Sequence, residues 1–403
     1  MLIVNYGDPG LLARCLRSVR TFLPDEQVRV WDNHSAQSPQ VRELATTFPE
    51  IDWTFSDEGI GYAAGMNRLV SRTDEDTLSL NPDAQLTGPL SRTREVLHDD
   101  RVAAVSPAVV DPSGQTQRWD IAHKRQTASR ILLNHAGYAN RLRRTPFSDL
   151  YPAPPTDVGG YLTGCSLLVR REAWEDVGLL DERFFVYGED PEWQRRAQRR
   201  GWRIAFCDEP DVCHGEEPTP APDSAPAAAP TGPPSTRPRD LRAGNTAVAL
   251  DLDGGRGHLV IAGDLLLGRV QRSKRRRRQQ TAQQRAAAAT GHDVVITVPT
   301  LETDDDIRRR VGLANTLAGR GHPVTVVCIE GFGPLQRALD PTVRLLLRPW
   351  WLPSAETVVG AAVLIAGPTT AERRFAAGWA RVGGGRTVVA LDELATTRPD
   401  LAD

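Results

Sequence analysis

Residues 217–238 read EPTPAPDSAPAAAPTGPPSTRP, and no feature of this 403-residue chain limits its folding more. A run of proline, alanine, serine and threonine with almost no large apolar side chain cannot bury enough surface to offset the entropy of ordering it. It is therefore expected as an extended linker, residues 217–240. At about 100–200 residues per domain the whole chain holds two or three domains. The expected parts are residues 1–216, a basic and helix-compatible extension at 241–290, and residues 291–403.

Composition removes several classes of protein. With 40% hydrophobic and 25% charged residues, the chain is neither collagenous, nor a coiled coil, nor disordered throughout. A formal net charge of −2 gives it no overall attraction to nucleic acid, so none is expected as a partner. Cys15, Cys165, Cys207, Cys213 and Cys328 are odd in number and widely spread. That pattern points to reduced thiols in a cytoplasmic setting rather than a secreted disulfide framework. Met1 runs directly into Leu2-Ile3-Val4 without a basic region or cleavage site, so no signal peptide is expected. No apolar run approaches the ~18–20 residues of a membrane span. The basic run Lys274, Arg275, Arg276, Arg277 and Arg278 is either a solvated surface or a peripheral contact with the anionic inner face of a membrane.

In the first part, strand-like and helix-like segments alternate: residues 2–6, 10–22, 28–31, 39–48, 51–55, 63–71 and 77–80. Such alternation predicts a mostly parallel α/β sheet covered on both faces. From His292 a second α/β pattern begins, with strands at 294–298 and 324–329, a helix at 306–320, and further strand-like runs at 357–366 and 386–391. The triplet Asp304-Asp305-Asp306 entering that helix is read as capping and dipole pairing rather than as a metal site.

Five local patterns in the first part carry chemistry, and their order matters more than any one of them. Ile3-Val4-Asn5-Tyr6 and Val30-Trp31-Asp32-Asn33-His34-Ser35 are strands that present polar groups at their carboxyl ends, where open α/β sheets bind ligands. A carboxylate there can accept from a nucleobase or a ribose hydroxyl, although a plain Asx turn would look the same. Gly59-Ile60-Gly61-Tyr62-Ala63-Ala64-Gly65-Met66-Asn67 allows a close backbone approach before a helix. Asn81-Pro82-Asp83 is a stiff turn after a buried strand, and its carboxylate suits a hard divalent cation. The run Phe184-Phe185-Val186-Tyr187-Gly188-Glu189-Asp190-Pro191-Glu192-Trp193 leads an aromatic segment into carboxylates that open a helix, and Val212-Cys213-His214 follows. Such carboxylates either complement the helix dipole or serve as a general base against an alcohol. Cys207, Cys213 and His214 lack paired Cys-x-x-Cys spacing, which argues against zinc.

From the first residues to about His214 the sequence resembles the family 2 inverting glycosyltransferases, in particular the bacterial rhamnosyltransferase-like members. The resemblance implies a GT-A fold, that is, an α/β nucleotide-sugar-binding domain. It implies that Asn5, Asp32 and Ser35 line the nucleoside pocket, and that Gly61, Gly65 and Asn67 shape the loop beside the nucleotide sugar. Asn81-Pro82-Asp83 stands where many members carry Asp-x-Asp, so Asp83 would hold Mg²⁺ or Mn²⁺ on the donor diphosphate while Asn81 stays at the donor. By the same resemblance Asp190 is the catalytic base, Glu189 shapes its electrostatics, and His214 is the late metal-proximal histidine. Gly59 departs from the pattern, because the family often has Asn there.

The implied reaction moves a sugar, rhamnose in the nearest subgroup, from a nucleoside-diphosphate donor to a saccharide or lipid-linked saccharide of the cell envelope or an exopolysaccharide. A catalytically silent nucleotide-sugar-binding scaffold is the alternative, but a scaffold has no need of Asp190. The segment from Val294 onward resembles the opening half of a GT-B glycosyltransferase, a Rossmann-like α/β half-domain without a second half, and is expected to be non-catalytic. Arg242-Ala243-Gly244-Asn245 resembles the Arg-Asn segment that follows the catalytic domain in many members.

Overall fold

The computed structural model describes residues 1–215 except 36–37, 117–120, 136–137, 139–140 and 154; residues 244–246, 248–249, 257 and 259–263; and residues 292–402 except 356–361 and 382–385. The expected linker, most of the 241–290 extension and the basic run at 274–278 lie outside the described residues. The chain divides into two compact units, Met1–Ala225 and Pro226–Asp403.

The first unit opens with the alternation expected from the sequence. Strands β1 (Leu2–Asn5), β2 (Arg29–Asp32), β3 (Asp52–Phe55) and β4 (Thr77–Leu80) are separated by helices α1 (Pro9–Phe22), α2 (Ser38–Thr47) and α3 (Tyr62–Val70). They form a parallel block in the order β3-β2-β1-β4. Successive residues of β1 enter opposite cores: Ile3 packs with Leu12, Leu16 and Val30, whereas Leu2 and Val4 pack with Trp31, Met66 and Leu69. This is the period-two signature of a strand covered on both faces. Helix α1 starts where it does because the Asp8 carboxylate accepts from the backbone N–H groups of Gly10 and Leu11 and Pro9 occupies the first turn.

Beyond β4 the sheet departs from the expected parallel arrangement. Strands β5 (Ala84–Leu86), β6 (Val102–Val110), β9 (Ser166–Val169) and β10 (Arg203–His214) complete the order β3-β2-β1-β4-β9-β6-β10-β5. Here β9 runs antiparallel to both β4 and β6, and β5 antiparallel to β10. Between β6 and β9 lie a short hairpin, β7 (Ala122–His123) with β8 (Tyr161–Leu162), and helix α5 (Ala128–His135). Helix α4 (Ser91–Leu97) precedes β6, and α6 (Arg171–Val177) and α7 (Glu189–Arg199) separate β9 from β10.

The start of α4 has no local cap, since Leu90 precedes it in the left-handed region. The register of β10 shifts between Cys207 and Val212, around Pro210, which cannot donate to a ladder. This bulge turns two carboxylates toward α4. Glu209 accepts from Arg92 N, Thr93 N and Thr93 Oγ1 at 2.6–3.0 Å, and Asp211 accepts from Leu90 N at 2.9 Å. Burial alone would raise the Glu209 carboxyl, but the Thr93 hydroxyl and the two N–H groups outweigh it and hold the group below its ordinary value. Its stabilisation is therefore complete above the unfolded carboxylate range, about 4.3, and is lost as pH falls through the lower folded value. Glu209→Ala should cost about 1–3 kcal/mol in urea unfolding at pH 7. The deficit should shrink in acid, and an equal deficit at all pH values would contradict this capping role.

The second unit is a five-stranded sheet, all parallel, in the order β13-β12-β11-β14-β15. Its strands are β11 (Asp293–Val298), β12 (Val324–Cys328), β13 (Arg344–Leu347), β14 (Ala362–Ala366) and β15 (Arg386–Ala390). Helix α8 (Asp305–Gly319) connects β11 to β12, and α9 (Thr370–Arg381) connects β14 to β15. The Asp304 side chain caps α8 through Asp306 N and Ile307 N, as expected of that acidic run. Strand order reverses between β11 and β14, the position of the crevice in doubly wound sheets. In this unit a buried polar cluster fills it. Arg310 donates to Glu372 at 2.6 Å and to the Thr297 carbonyl at 2.9 Å, Thr297 Oγ1 donates to Glu372 at 3.0 Å, and Gly367 N donates to Thr297 Oγ1 at 3.1 Å.

Candidate active site

Polar groups collect at the carboxyl ends of β1 and β2. Asn5, Asp32 and Asn33 are fully buried and Ser35 is nearly so. Asn5 Nδ2 donates to Asp32 Oδ1 at 2.8 Å, and the Ser38 hydroxyl donates to Asp32 Oδ2. Asp32 is thus fixed from both sides, yet each carboxylate oxygen keeps a second acceptor position. Asn33 Oδ1 accepts from Ile60 N at 2.8 Å and anchors the start of the glycine-rich loop. Ser38 was not apparent from the sequence, where its only sign is its place at the helix start three residues after Ser35.

The glycine-rich loop has a packing role of its own. Gly61 sits at φ 96°, and a Cβ there would stand 2.7 Å from the carbonyl oxygen of Phe185. The neighbouring Tyr62 N donates to that same carbonyl at 2.7 Å. Gly65 lets α3 approach β1 and β2, with Trp31 and Val4 at 3.0 and 3.3 Å from its Cβ position. Asn67 is buried and uses its whole amide on the later segment: Nδ2 donates to Leu180 O and Glu182 Oε1, and Oδ1 accepts from Leu180 N, all at 2.9–3.0 Å. Gly61, Tyr62 and Asn67 hold the segment leading to Glu189-Asp190 against α3. The structure places Asn67 as a brace for that segment.

Asp83 and His214 come together because β5 and β10 pair antiparallel, with His214 opposite Ala84. The His214 Nε2 to Asp83 Oδ1 distance is 3.3 Å. Burial would raise the Asp83 carboxyl, but the hydrogen bond and charge of His214, helped by a backbone N–H, hold it below its ordinary value. Among the described residues no group of three or more His, Cys, Asp or Glu side chains converges as a complete metal cage. The Asp83 carboxylate, with an imidazole beside it, fits a hard divalent cation that takes its remaining ligands from phosphate oxygens and water. Neither Cys207 nor Cys213 is in a disulfide.

Helix α7 supplies the other half of the site. Gly188 caps it at φ 107°, and Asp190 Oδ2 accepts from Gly164 N at 2.9 Å. A Cβ on residue 164 would fall 2.9 Å from that same oxygen, so glycine is what allows the carboxylate to seat there. One turn later Gln194 both accepts from Leu162 N and donates to Leu162 O, each at 2.7 Å. Asp190 and Gln194 lie on one face of α7 and together grip residues 162–164. Cys165 O, next along, accepts from Asn81 N at 2.9 Å. The turn carrying Asp83 and the seat of Asp190 are therefore joined through the adjacent residues Gly164 and Cys165. The i, i+4 spacing of Asp190 and Gln194 is the sequence sign by which Gln194 could have been found.

Glu189 is 4% exposed, and its Oε2 has no partner. Burial, then the charge of Asp190 and a hydrogen bond to it, push its carboxyl well above the ordinary value. Tyr62 faces the same pair. Its phenol is raised by burial and then by the charges of Asp190 and Glu189.

No protein-family model matches this sequence. Among curated proteins the chain is similar to the N-acetylglucosaminyl-diphospho-decaprenol L-rhamnosyltransferase of Mycobacterium tuberculosis, found in two strains. Identity is 28% over 239 residues, covering 53% of this chain and 75% of that protein. The rhamnosyltransferase resemblance seen in the sequence is borne out by that relative. Solved structures that resemble the chain include a mannosyltransferase from Pyrobaculum calidifontis in complex with GDP-Man and Mn²⁺, at TM-score 0.41 and 18% identity over 72% of this chain and 75% of that one. They also include GalNAc-T7 with UDP, GalNAc and Mn²⁺, at TM-score 0.40 and 15% identity. That match covers 53% of this chain and spans 43% of the GalNAc-T7 chain. Among the described residues no helix is long and apolar enough to cross a membrane.

Proposed function

We propose that this chain is a metal-dependent inverting glycosyltransferase that moves a sugar, rhamnose by analogy with its curated relative, from a nucleoside diphosphate to a lipid-linked saccharide acceptor. The observation that carries the proposal is the backbone link of Asp190, on Gly164, to the Asp83 turn, on Cys165. A base for the acceptor and an acidic turn suited to the donor diphosphate are thereby held in one frame. The relative's name supplies the sugar and the acceptor class, and the GT-A assignment and the roles of the site residues follow the family resemblance.

In this mechanism Asn5, Asp32 and Ser35 receive the nucleoside, with Asp32 accepting from its polar hydrogens. Asp190 takes the proton of the acceptor hydroxyl as that oxygen attacks the anomeric carbon from the face opposite the leaving diphosphate. The Gly164 N–H keeps one carboxylate oxygen in place and leaves the other to receive the proton. Asp83 and His214 would hold Mg²⁺ or Mn²⁺, and when bound the cation supplies electrostatic neutralisation of the departing diphosphate. Aromatic and aliphatic side chains, among them Trp174, Trp193 and Leu167, line the side of the site beneath Asp190.

The test is calorimetric titration of the full chain with UDP, dTDP and GDP, each with and without Mn²⁺. One nucleotide should bind far more tightly when the metal is present, and Asp83→Ala should lose that metal-dependent increment while still melting cooperatively. Absence of binding by all three nucleotides under both conditions would overturn the assignment.

A further inference from the structure

Beneath the two adjacent carboxyl groups lies a small cavity of about 30 Å³, room for one or two water molecules. It is walled by Tyr62 and Met66 of α3, Thr77 and Ser79 of β4, Leu167 of β9, Trp174 of α6 and Trp193 of α7, and Glu189 and Asp190 form its roof. No lysine, arginine or histidine lines it. The titratable groups that face Glu189 are Asp190, on its own helix, and Tyr62 across the cavity, with the buried Cys165 beyond Tyr62. A buried carboxylate with one acidic neighbour and no cation cannot stay ionised cheaply, and two touching carboxyl groups share their charge unequally.

We infer that Glu189 is a positioning residue for Asp190: a neutral carboxylic acid that donates its proton in a hydrogen bond to the Asp190 carboxylate and opens its other oxygen onto the cavity. This rests on the transferase reading for its catalytic consequence, but not for its chemical core. The division of labour follows from exposure. Glu189 is sealed in and keeps the proton; Asp190, partly exposed and seated on Gly164 N–H, carries the negative charge and takes protons from outside. Glu189 then orients the second carboxylate oxygen, and it withdraws negative charge from the base only as far as one hydrogen bond does.

Infrared spectroscopy of the full chain at pH 7 tests the core of the inference. The carbonyl stretch of a protonated carboxylic acid should be present in the native protein and in Asp190→Asn, and absent from Glu189→Gln. If the native protein lacks the band, or Glu189→Gln retains it unchanged, the inference is wrong. Sugar transfer supplies the second readout. Glu189→Leu, which fills the space without a donor, should lower kcat about 100-fold with little change in KM. Glu189→Gln, which keeps an N–H donor, should recover most of that loss. Native activity should fall on the alkaline side as Glu189 finally ionises beside Asp190, and Glu189→Gln should lack that limb. Equal rates and equal pH profiles for Glu189→Leu and the native chain would overturn the positioning role. If no preparation transfers sugar, the function proposed above has failed while the infrared comparison still decides the state of Glu189.

Discussion

Asp190→Asn is expected to reduce sugar transfer by about 10²–10⁴-fold while nucleotide affinity stays in place. The substitution keeps the size and planarity of the side chain and can keep an oxygen on Gly164 N–H, so α7 and its grip on residues 162–164 should survive. What it removes is the group that accepts the acceptor hydroxyl proton. The loss should therefore fall on kcat and on kcat/KM alike, the pattern of an interaction made in the transition state. Steady-state turnover with a saccharide acceptor, paired with nucleotide titration of the same preparation, separates this from a folding defect. A variant that turns over at the native rate would move the base to another residue.

Glu372→Ala should be the most damaging single change in the second unit, at about 3 kcal/mol, the lower part of the range for breaking a buried ion pair. Both partners are sealed, with the Arg310 side chain 2% and the Glu372 side chain 0% exposed. Alanine leaves the guanidinium buried with the Thr297 carbonyl and the half-exposed Asp306 as its remaining acceptors, which is why the expected cost is not larger. It also strands the hydroxyl of Thr297 and loosens Gly367 at the end of β14. Denaturant unfolding gives the size of the loss, and hydrogen exchange should localise it to β11, β14 and α9. Replacing Arg310 and Glu372 together by apolar residues of similar volume should restore much of the stability, because the desolvation of two charges disappears with the pair.

The sequence carried the first four strands and three helices of unit 1 to within about two residues, because each strand alternates with an amphipathic helix and each is bounded by a polar turn. The second unit was legible for the same reason, apart from β13 and helix α9. Strands β6, β9 and β10 were not apparent. In β6 the run VAAVSPAVV is buried along almost its whole length, and a strand covered on both faces shows no alternation to distinguish it from a core helix. The antiparallel insertion of β9 between β4 and β6 depends on pairings far apart in sequence, Leu80 with Ser166 and Val105 with Leu168, which local pattern does not encode. At the site, the residues with their own chemistry stood out: Asp32, Asp83, Glu189, Asp190 and His214. The residues that aim them did not. Gly164 and Gln194 act through backbone contacts and Ser38 through its hydroxyl on Asp32, contacts that exist only once the chain has folded, and the Asn67 amide, read as shaping the loop beside the nucleotide sugar, is committed to Leu180 and Glu182.

The double grip of α7 on residues 162–164 makes that helix a spacer whose length is part of the site. Each residue of an α-helix turns the next by about 100°. Inserting or deleting one residue between Asp190 and Gln194 would swing the carboxylate off its glycine seat even if every side chain were retained. Drift in this stretch should therefore proceed by substitution at the outward positions, with the four-residue interval held fixed. An engineered insertion there should cost as much activity as removing Asp190 itself.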